Sequence, residues 1–166
     1  MPHLFVPNKY RYVRGERPNV KCILCAIRDN DKRVKNLTVY STPIFIVSMN
    51  LYPYSPGHLL IFPKRHITDI RNLTKREELA ASKLKGLCLD VLDQELSPHG
   101  YNIGLNLGSW SGASIPHLHW HIVPRFKNEI GFIDIIAGTR LIVDNPAKSR
   151  NKVAKLFKKF TYPDDL

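Results

Sequence analysis

The segment His117-Leu118-His119-Trp120-His121-Ile122-Val123 decides how this chain is read. Three imidazoles alternate with three apolar residues, and a period of two is the mark of a strand whose successive side chains point to opposite faces. One face then carries Leu118, Trp120 and Ile122 into a core, while the other presents His117, His119 and His121 to a shared cleft. Pro124 is expected to end the ladder, because proline has no amide hydrogen to donate. An exposed polar strand face is the plain alternative, but imidazoles carry more chemistry than that role needs. Neutral imidazole attacks phosphorus well near neutral pH, a neighbouring ring can donate a proton or hydrogen bond, and a third can bind a metal.

The loop that enters this strand, Asn106-Leu107-Gly108-Ser109-Trp110-Ser111-Gly112-Ala113-Ser114, is rich in glycine and serine. Glycines let backbone amides approach an anion closely and hydroxyls add donors. Alone such a loop is weak evidence for phosphate binding; directly before three aligned histidines it is strong.

Working outward, Leu37–Ser41 and Ile44–Met49 are β-branched and apolar and break at Pro43, which predicts two strands meeting at a bend. His58–Pro63 reads as a short strand after the turn signal Ser55-Pro56-Gly57. Thr74-Lys75-Arg76-Glu77 has the form of a capping box, and Leu84, Leu87, Cys88, Val91 and Leu92 follow at helical spacing. That helix is expected to stop near Leu96, ahead of Pro98 and Gly100. Tyr101–Leu107 reads as another strand. Asn145–Phe160 reads as a terminal basic helix with Val153, Leu156, Phe157 and Phe160 on one side. The fold class is α+β: a mainly antiparallel sheet with one central and one C-terminal helix. Residues 1–166 form a single domain, with 1–21 as a Pro- and Arg-rich arm and 145–160 as the basic helix.

Composition agrees with one globular domain, since 166 residues with 43% hydrophobic content can bury a core without disulfides. No apolar run approaches the roughly 18 residues of a membrane span, and Met1–Tyr10 lacks the apolar stretch of a secretory signal. A cytoplasmic protein with no membrane partner is expected. The formal charge of +11 favours anionic partners such as nucleotides, nucleic acid or an acidic surface. A nucleic-acid reader is not expected, because there is neither a helix-turn-helix signal nor a basic stripe interleaved with aromatics. Three cysteines do not make a disulfide framework. Cys22-Ile-Leu-Cys25 reads as a metal clip in a reducing compartment, and Cys88 as a buried small hydrophobe.

The order Asn106, Gly112, Ser114, then His117-x-His119-x-His121-Ile-Val-Pro-Arg125 resembles the histidine-triad family of nucleotide hydrolases and transferases. Asn50-Leu-Tyr-Pro-Tyr-Ser-Pro-Gly-His58 through His66 is similar to that family's first nucleotide-binding segment. Tyr12-Val-Arg-Gly, Cys22-x-x-Cys25, Gly100-Tyr-Asn-Ile-Gly and Gly138-Thr-Arg resemble the branch that includes bacterial diadenosine tetraphosphate phosphorylases. Phe126 departs from it, standing where tryptophan is expected in many members.

The resemblance implies that His119 is the nucleophile on an α-phosphorus and that His121 contacts the phosphate and assists the leaving group. It also implies that Ser114 and the Gly112 region hold non-bridging oxygens, that Asn50 and Asn106 position ribose or phosphate, and that His58 supports the site. Phe45 and Ile46 are weighed as flanks for the base, but read better as core. For the metal the resemblance supports Cys22, Cys25, His66 and His117 as four ligands, with a structural zinc; iron and a metal-free thiol pair remain alternatives. Relatives imply a homodimer. The implied activity is cleavage of dinucleoside polyphosphates through a nucleotidyl-histidine, with water or orthophosphate as acceptor. Hydrolysis of nucleoside phosphoramidates or adenylated conjugates, and a zinc-stabilised nucleotide sensor, are the alternatives.

Overall fold

A computed structural model of the chain describes residues 18–127 and 145–160. Most of the N-terminal arm and the Tyr12 and Gly138 segments lie outside the described residues.

Five strands form one antiparallel sheet: β1 (Thr38–Ser41), β2 (Phe45–Met49), β3 (Leu59–Pro63), β4 (Gly100–Leu105) and β5 (Trp120–Arg125). Their order is β1-β2-β3-β5-β4, so the histidine strand is inserted between β3 and β4. At the bend between β1 and β2 the Thr42 hydroxyl accepts the Phe45 amide hydrogen (2.8 Å). Every residue of β2 and β3 is buried, which requires cover on both faces of the sheet.

The two covers sort by residue parity. Phe45, Val47, Met49, Leu59, Ile61, Trp120 and Ile122 pack against α2 (Lys75–Leu96) and α3 (Pro146–Phe157). Ile46 and Phe62 face the other way, onto Leu24, Ala26, Ile27 and Val34 of a smaller cluster built on α1 (Ile23–Arg28). The fully buried Phe45 also meets Trp120 edge-on, with ring centroids 6.1 Å apart. Both Phe45 and Ile46 are therefore core residues.

The capping box at the start of α2 is present in full. Glu77 N–H donates to the Thr74 hydroxyl (3.2 Å), and the Glu77 carboxylate accepts from Thr74 N–H (2.8 Å). The same carboxylate accepts two bonds from the Arg65 guanidinium, at 3.1 and 2.8 Å. Arg65 thereby holds Glu77 down to about 2. This pair ties the end of β3, where His66 begins its loop, to the first turn of α2.

Several boundaries differ from the sequence reading, and β1, β2 and β3 each start one residue later than read. Ladder pairing of the histidine strand starts at Trp120, so His117–His119 approach it outside the sheet proper, with a bend at His117. Pro124 does not end the ladder: it pairs with Tyr101, and the strand continues to Arg125. Pairing with β3 stops at Ile122, leaving Pro124 where β5 has a strand on one side only, a place that tolerates a missing amide hydrogen. A further difference is β4, which covers Gly100–Leu105 rather than Tyr101–Leu107. The basic helix is Pro146–Phe157, with Asn145 as its N-cap accepting from the Ala147 and Lys148 amides, and Phe160 packs beyond its end.

Candidate active site and metal centre

The α1-side face of the sheet carries a row of three cross-strand neighbours, His121 on β5, Leu60 on β3 and Ser48 on β2. These form the floor of a cavity of about 320 Å³. Ile23, Leu24 and Ile27 of α1 line it together with Val34 and Leu37, whereas His119, Ser114, Asn50 and Tyr54 supply polar groups. Strands lie about 4.8 Å apart, so Ser48, at the β2 end of the floor, is about 10 Å from His121 along the row through Leu60. The cavity is thus polar and imidazole-lined at β5 and apolar towards α1.

Backbone and neighbouring rings set the hydrogen positions of the imidazoles. His119 Nδ1–H donates to the carbonyl of His117 (2.8 Å), which leaves the lone pair on Nε2. Burial lowers the His119 pKa and keeps the ring neutral near pH 7. At His58 the amide of Tyr54 donates to Nδ1 (3.0 Å), so the ring hydrogen of a neutral imidazole resides on Nε2. That Nε2–H donates to His121 Nδ1 (2.9 Å), which in turn places the His121 hydrogen on Nε2. His58 is fully buried and held well below the ordinary histidine range, chiefly by burial and then by the charges of His121 and His119. Burial, with His119, brings His121 down to about 4.

Asn50 lines the cavity, but its side chain is already occupied on both sides. Its amide nitrogen donates to His58 Nδ1 (3.2 Å) and its oxygen accepts from Tyr52 N–H (3.0 Å). Ser114 reaches the cavity from the glycine–serine loop. Asn106 and Gly112 belong to the same loop but are not among the cavity-lining residues. Gly112 adopts φ +83°, where a side chain would be strained. Sequence reasoning missed the α1 wall and Tyr54, whose ring lies 4.8 Å from that of His58. The one available signal for α1 was the apolar set Ile23, Leu24, Ala26 and Ile27 following Cys22, whose sulfur caps the helix by accepting the Cys25 amide hydrogen (3.4 Å).

On the other side of the His117 backbone is a second cluster. The ligand atoms of Cys22, Cys25, His66 and His117 all lie within 4.8 Å of one another. Tetrahedral zinc with ordinary bond lengths separates sulfur from nitrogen by about 3.5 Å. The observed separations are 3.4 Å (Cys22 Sγ to His117 Nδ1), 3.3 Å (Cys25 Sγ to His66 Nδ1) and 3.5 Å (Cys25 Sγ to His117 Nδ1). His117 Nε2–H donates to the carbonyl of Pro63 (2.9 Å), which turns the Nδ1 lone pair towards the sulfurs and supplies the outer support such ligands need. Chemistry and spacing therefore fit a divalent metal. The four residues come from α1, the segment after β3 and the approach to β5, so a bound ion would join all three.

An antiparallel sheet that presents alternating imidazoles between a glycine–serine loop and an apolar cavity defines a histidine-triad protein. The HIT domain model matches residues 31–128, and the chain belongs to that family. It is 38% identical over 109 residues to an AP-4-A phosphorylase of Mycobacterium tuberculosis, a match covering 65% of this chain and 56% of the relative. It is 33% identical over 99 residues to the asymmetrical bis(5'-nucleosyl)-tetraphosphatase of Schizosaccharomyces pombe, covering 58% of this chain and 53% of that protein. The chain thus spans about half the length of these curated relatives. Among solved structures, a zinc-bound histidine triad family protein from Mycobacterium smegmatis shares the fold, with a TM-score of 0.69 at 21% identity over 84% of this chain and 94% of that one. Cys22 and Cys25 fall outside the matched domain segment, so the metal clip is an extension of it towards the N-terminus.

Proposed function

We propose that this chain is an enzyme that cleaves dinucleoside polyphosphates such as diadenosine tetraphosphate, transferring a nucleoside monophosphate through His119. The observation that carries this reading is the bond from His119 Nδ1–H to the His117 carbonyl, which presents an unprotonated Nε2 in an imidazole-lined cavity. The names of the two curated relatives support the substrate class.

In the first step His119 Nε2 forms a bond to the α-phosphorus, and the bond to the bridging oxygen breaks with its electron pair leaving on the polyphosphate. His121 Nε2–H hydrogen-bonds that oxygen as charge develops, and Ser114 donates to a non-bridging oxygen. In the second step water or orthophosphate attacks the same phosphorus, and the N–P electron pair returns to Nε2. Attacking water surrenders its proton to solvent; orthophosphate attacks through an existing oxyanion. His58 acts through His121 by fixing its tautomer, and Asn50 and Tyr54 fix His58. Asn106 and Gly112 shape the loop that delivers Ser114. The apolar end of the cavity takes the base.

Zinc is the metal this Cys–Cys–His–His set suits best, in a structural role that holds α1 and the approach to the histidine strand together. A homodimer is supported by the edge position of β4 with its exposed Ile103, and a cytoplasmic setting by three free cysteines. Among the described residues no helix is long and apolar enough to cross a membrane.

The test is incubation with diadenosine tetraphosphate, with and without orthophosphate, followed by product separation and intact-mass analysis. ADP plus ATP only with phosphate means phosphorolysis, and AMP plus ATP without it means hydrolysis. A nucleotidyl adduct present in the native protein and lost in His119→Asn would support the covalent route. Absence of any product from metal-loaded protein would sink the reading.

A further inference from the structure

A second cavity, of about 770 Å³, opens between the end of α1, the β1 segment and α3. Arg28, Lys64 and Arg150 line it, and among the described residues no aspartate or glutamate does. Ile27 and Leu37 line both this cavity and the histidine-lined one, so the two are neighbours separated by that wall.

The three cations are not equivalent. Arg28 is fully engaged: Nε and Nη2 bind the Asp29 carboxylate at 2.7 and 2.9 Å, and Nη1 donates to the Lys64 carbonyl (2.6 Å). Its charge is compensated and its fork is rigid. Arg150 donates from Nε to the Thr38 carbonyl (2.9 Å) and from Nη1 to the Asn151 side-chain oxygen (3.0 Å), which holds the guanidinium in place and leaves Nη2 without a partner among the described residues. Neither Arg150 nor the Lys64 ammonium has a carboxylate partner among the described residues. The helix that contributes Arg150 adds Lys148, Lys152 and Lys155 and contains no acidic residue. Among the described residues, two cations without a carboxylate partner, one of them an oriented fork, therefore share a wall with neutral donors and no carboxylate. A fork and an ammonium together suit the tetrahedral oxygens of phosphoryl groups, and the volume has room for several such groups in a chain.

We propose that this cavity is a second, non-catalytic site for an oligophosphate anion, either free or as the tail of a nucleotide.

The test is calorimetric titration of the intact protein with tripolyphosphate at fixed ionic strength, with sulfate as the control anion. Lys64→Gln is the main variant, because that side chain makes no hydrogen bond or ion pair among the described residues, and Arg150→Lys is the second, keeping the charge but losing the fork. Saturable binding of one tripolyphosphate per chain, weakened on the order of 10-fold by either variant and unchanged in His119→Asn, would support the site. Displacement of tripolyphosphate by ATP and not by adenosine would assign it to nucleotide tails, and failure of ATP to displace would assign it to free oligophosphate. Binding insensitive to Lys64→Gln but lost in Ser114→Ala would place the anion in the histidine-lined cavity and overturn the proposal. Weak binding indistinguishable from sulfate would overturn it as general charge attraction.

Discussion

His58 Nε2 and His121 Nδ1 are 2.9 Å apart although 63 residues separate them in the chain, and the Tyr54 amide behind His58 gives that contact a direction. Hydrogen-bond donation runs from the backbone to His58, from His58 to His121, and from His121 Nε2 into the cavity. A buried neutral ring is thus used to decide which nitrogen of a second ring faces the cavity.

His58→Gln should therefore lower kcat, on the order of 10-fold or more, with little change in KM, because the variant loosens the tautomer of His121 without touching substrate. Nitrogen-15 NMR of the imidazoles checks the cause directly. His121 in the native protein should show a protonated Nε2, and the variant should show a mixture. A native-like His121 spectrum in the variant would refute the assignment.

Stability should fall as pH drops below 6.5. His58 takes up a proton in the unfolded chain near 6.5 but resists it in the folded one, and His121 resists until about 4. Between those values the unfolded state binds more protons, so acid favours unfolding, by up to about 1.4 kcal/mol per pH unit for His58 and by a smaller, solvent-screened share for His121. Urea midpoints at pH 7, 6 and 5 measure the slope, and His58→Gln should flatten it.

Loss of a metal from the Cys22, Cys25, His66 and His117 cluster should destabilise the fold rather than merely inactivate. Metal analysis is expected to find one zinc per chain, and Cys25→Ser or chelation should lower Tm by on the order of 10 °C. Loss of activity should follow the loss of folded protein. Full stability in a metal-free chain would reduce the Cys22, Cys25, His66 and His117 cluster to a coincidence of thiols and imidazoles.

Gly57→Ala should destabilise by about 1–3 kcal/mol. Gly57 has φ +77°, and a Cβ there would stand 2.4 Å from Leu96 Cδ1 and 3.1 Å from Leu92 Cδ2. The turn also sets the position of His58 at the entry to β3, so thermal melting should report the loss of stability and kcat a displacement of His58.

Local periodicity made much of this molecule legible from sequence. Alternation in 117–123 assigned Leu118, Trp120 and Ile122 to the core, and all three are buried there. Thr74 and Glu77 located the start of α2 because a capping box is satisfied within one turn. Such signals depend on neighbours a few residues away, and the chain carries them unaided. Family resemblance supplied the four members of the metal cluster, which spacing alone left at two.

Other features depended on register and packing between distant segments. Pro124 stays inside β5 because β3 pairing has ended by then, a fact about a neighbouring strand that no property of proline announces. The apolar wall from α1 exists because Leu24 and Ile27 meet Ile46 and Phe62 across the sheet. The pairing of Leu60 with His121 aligns β3 so that His58 meets the histidine strand. Sequence determined which chemical groups were available and which side chains of the histidine strand would enter the core. Tertiary structure decided which ring nitrogens are protonated and which cations, among the described residues, have no carboxylate partner, since both are set by contacts between residues far apart in the chain.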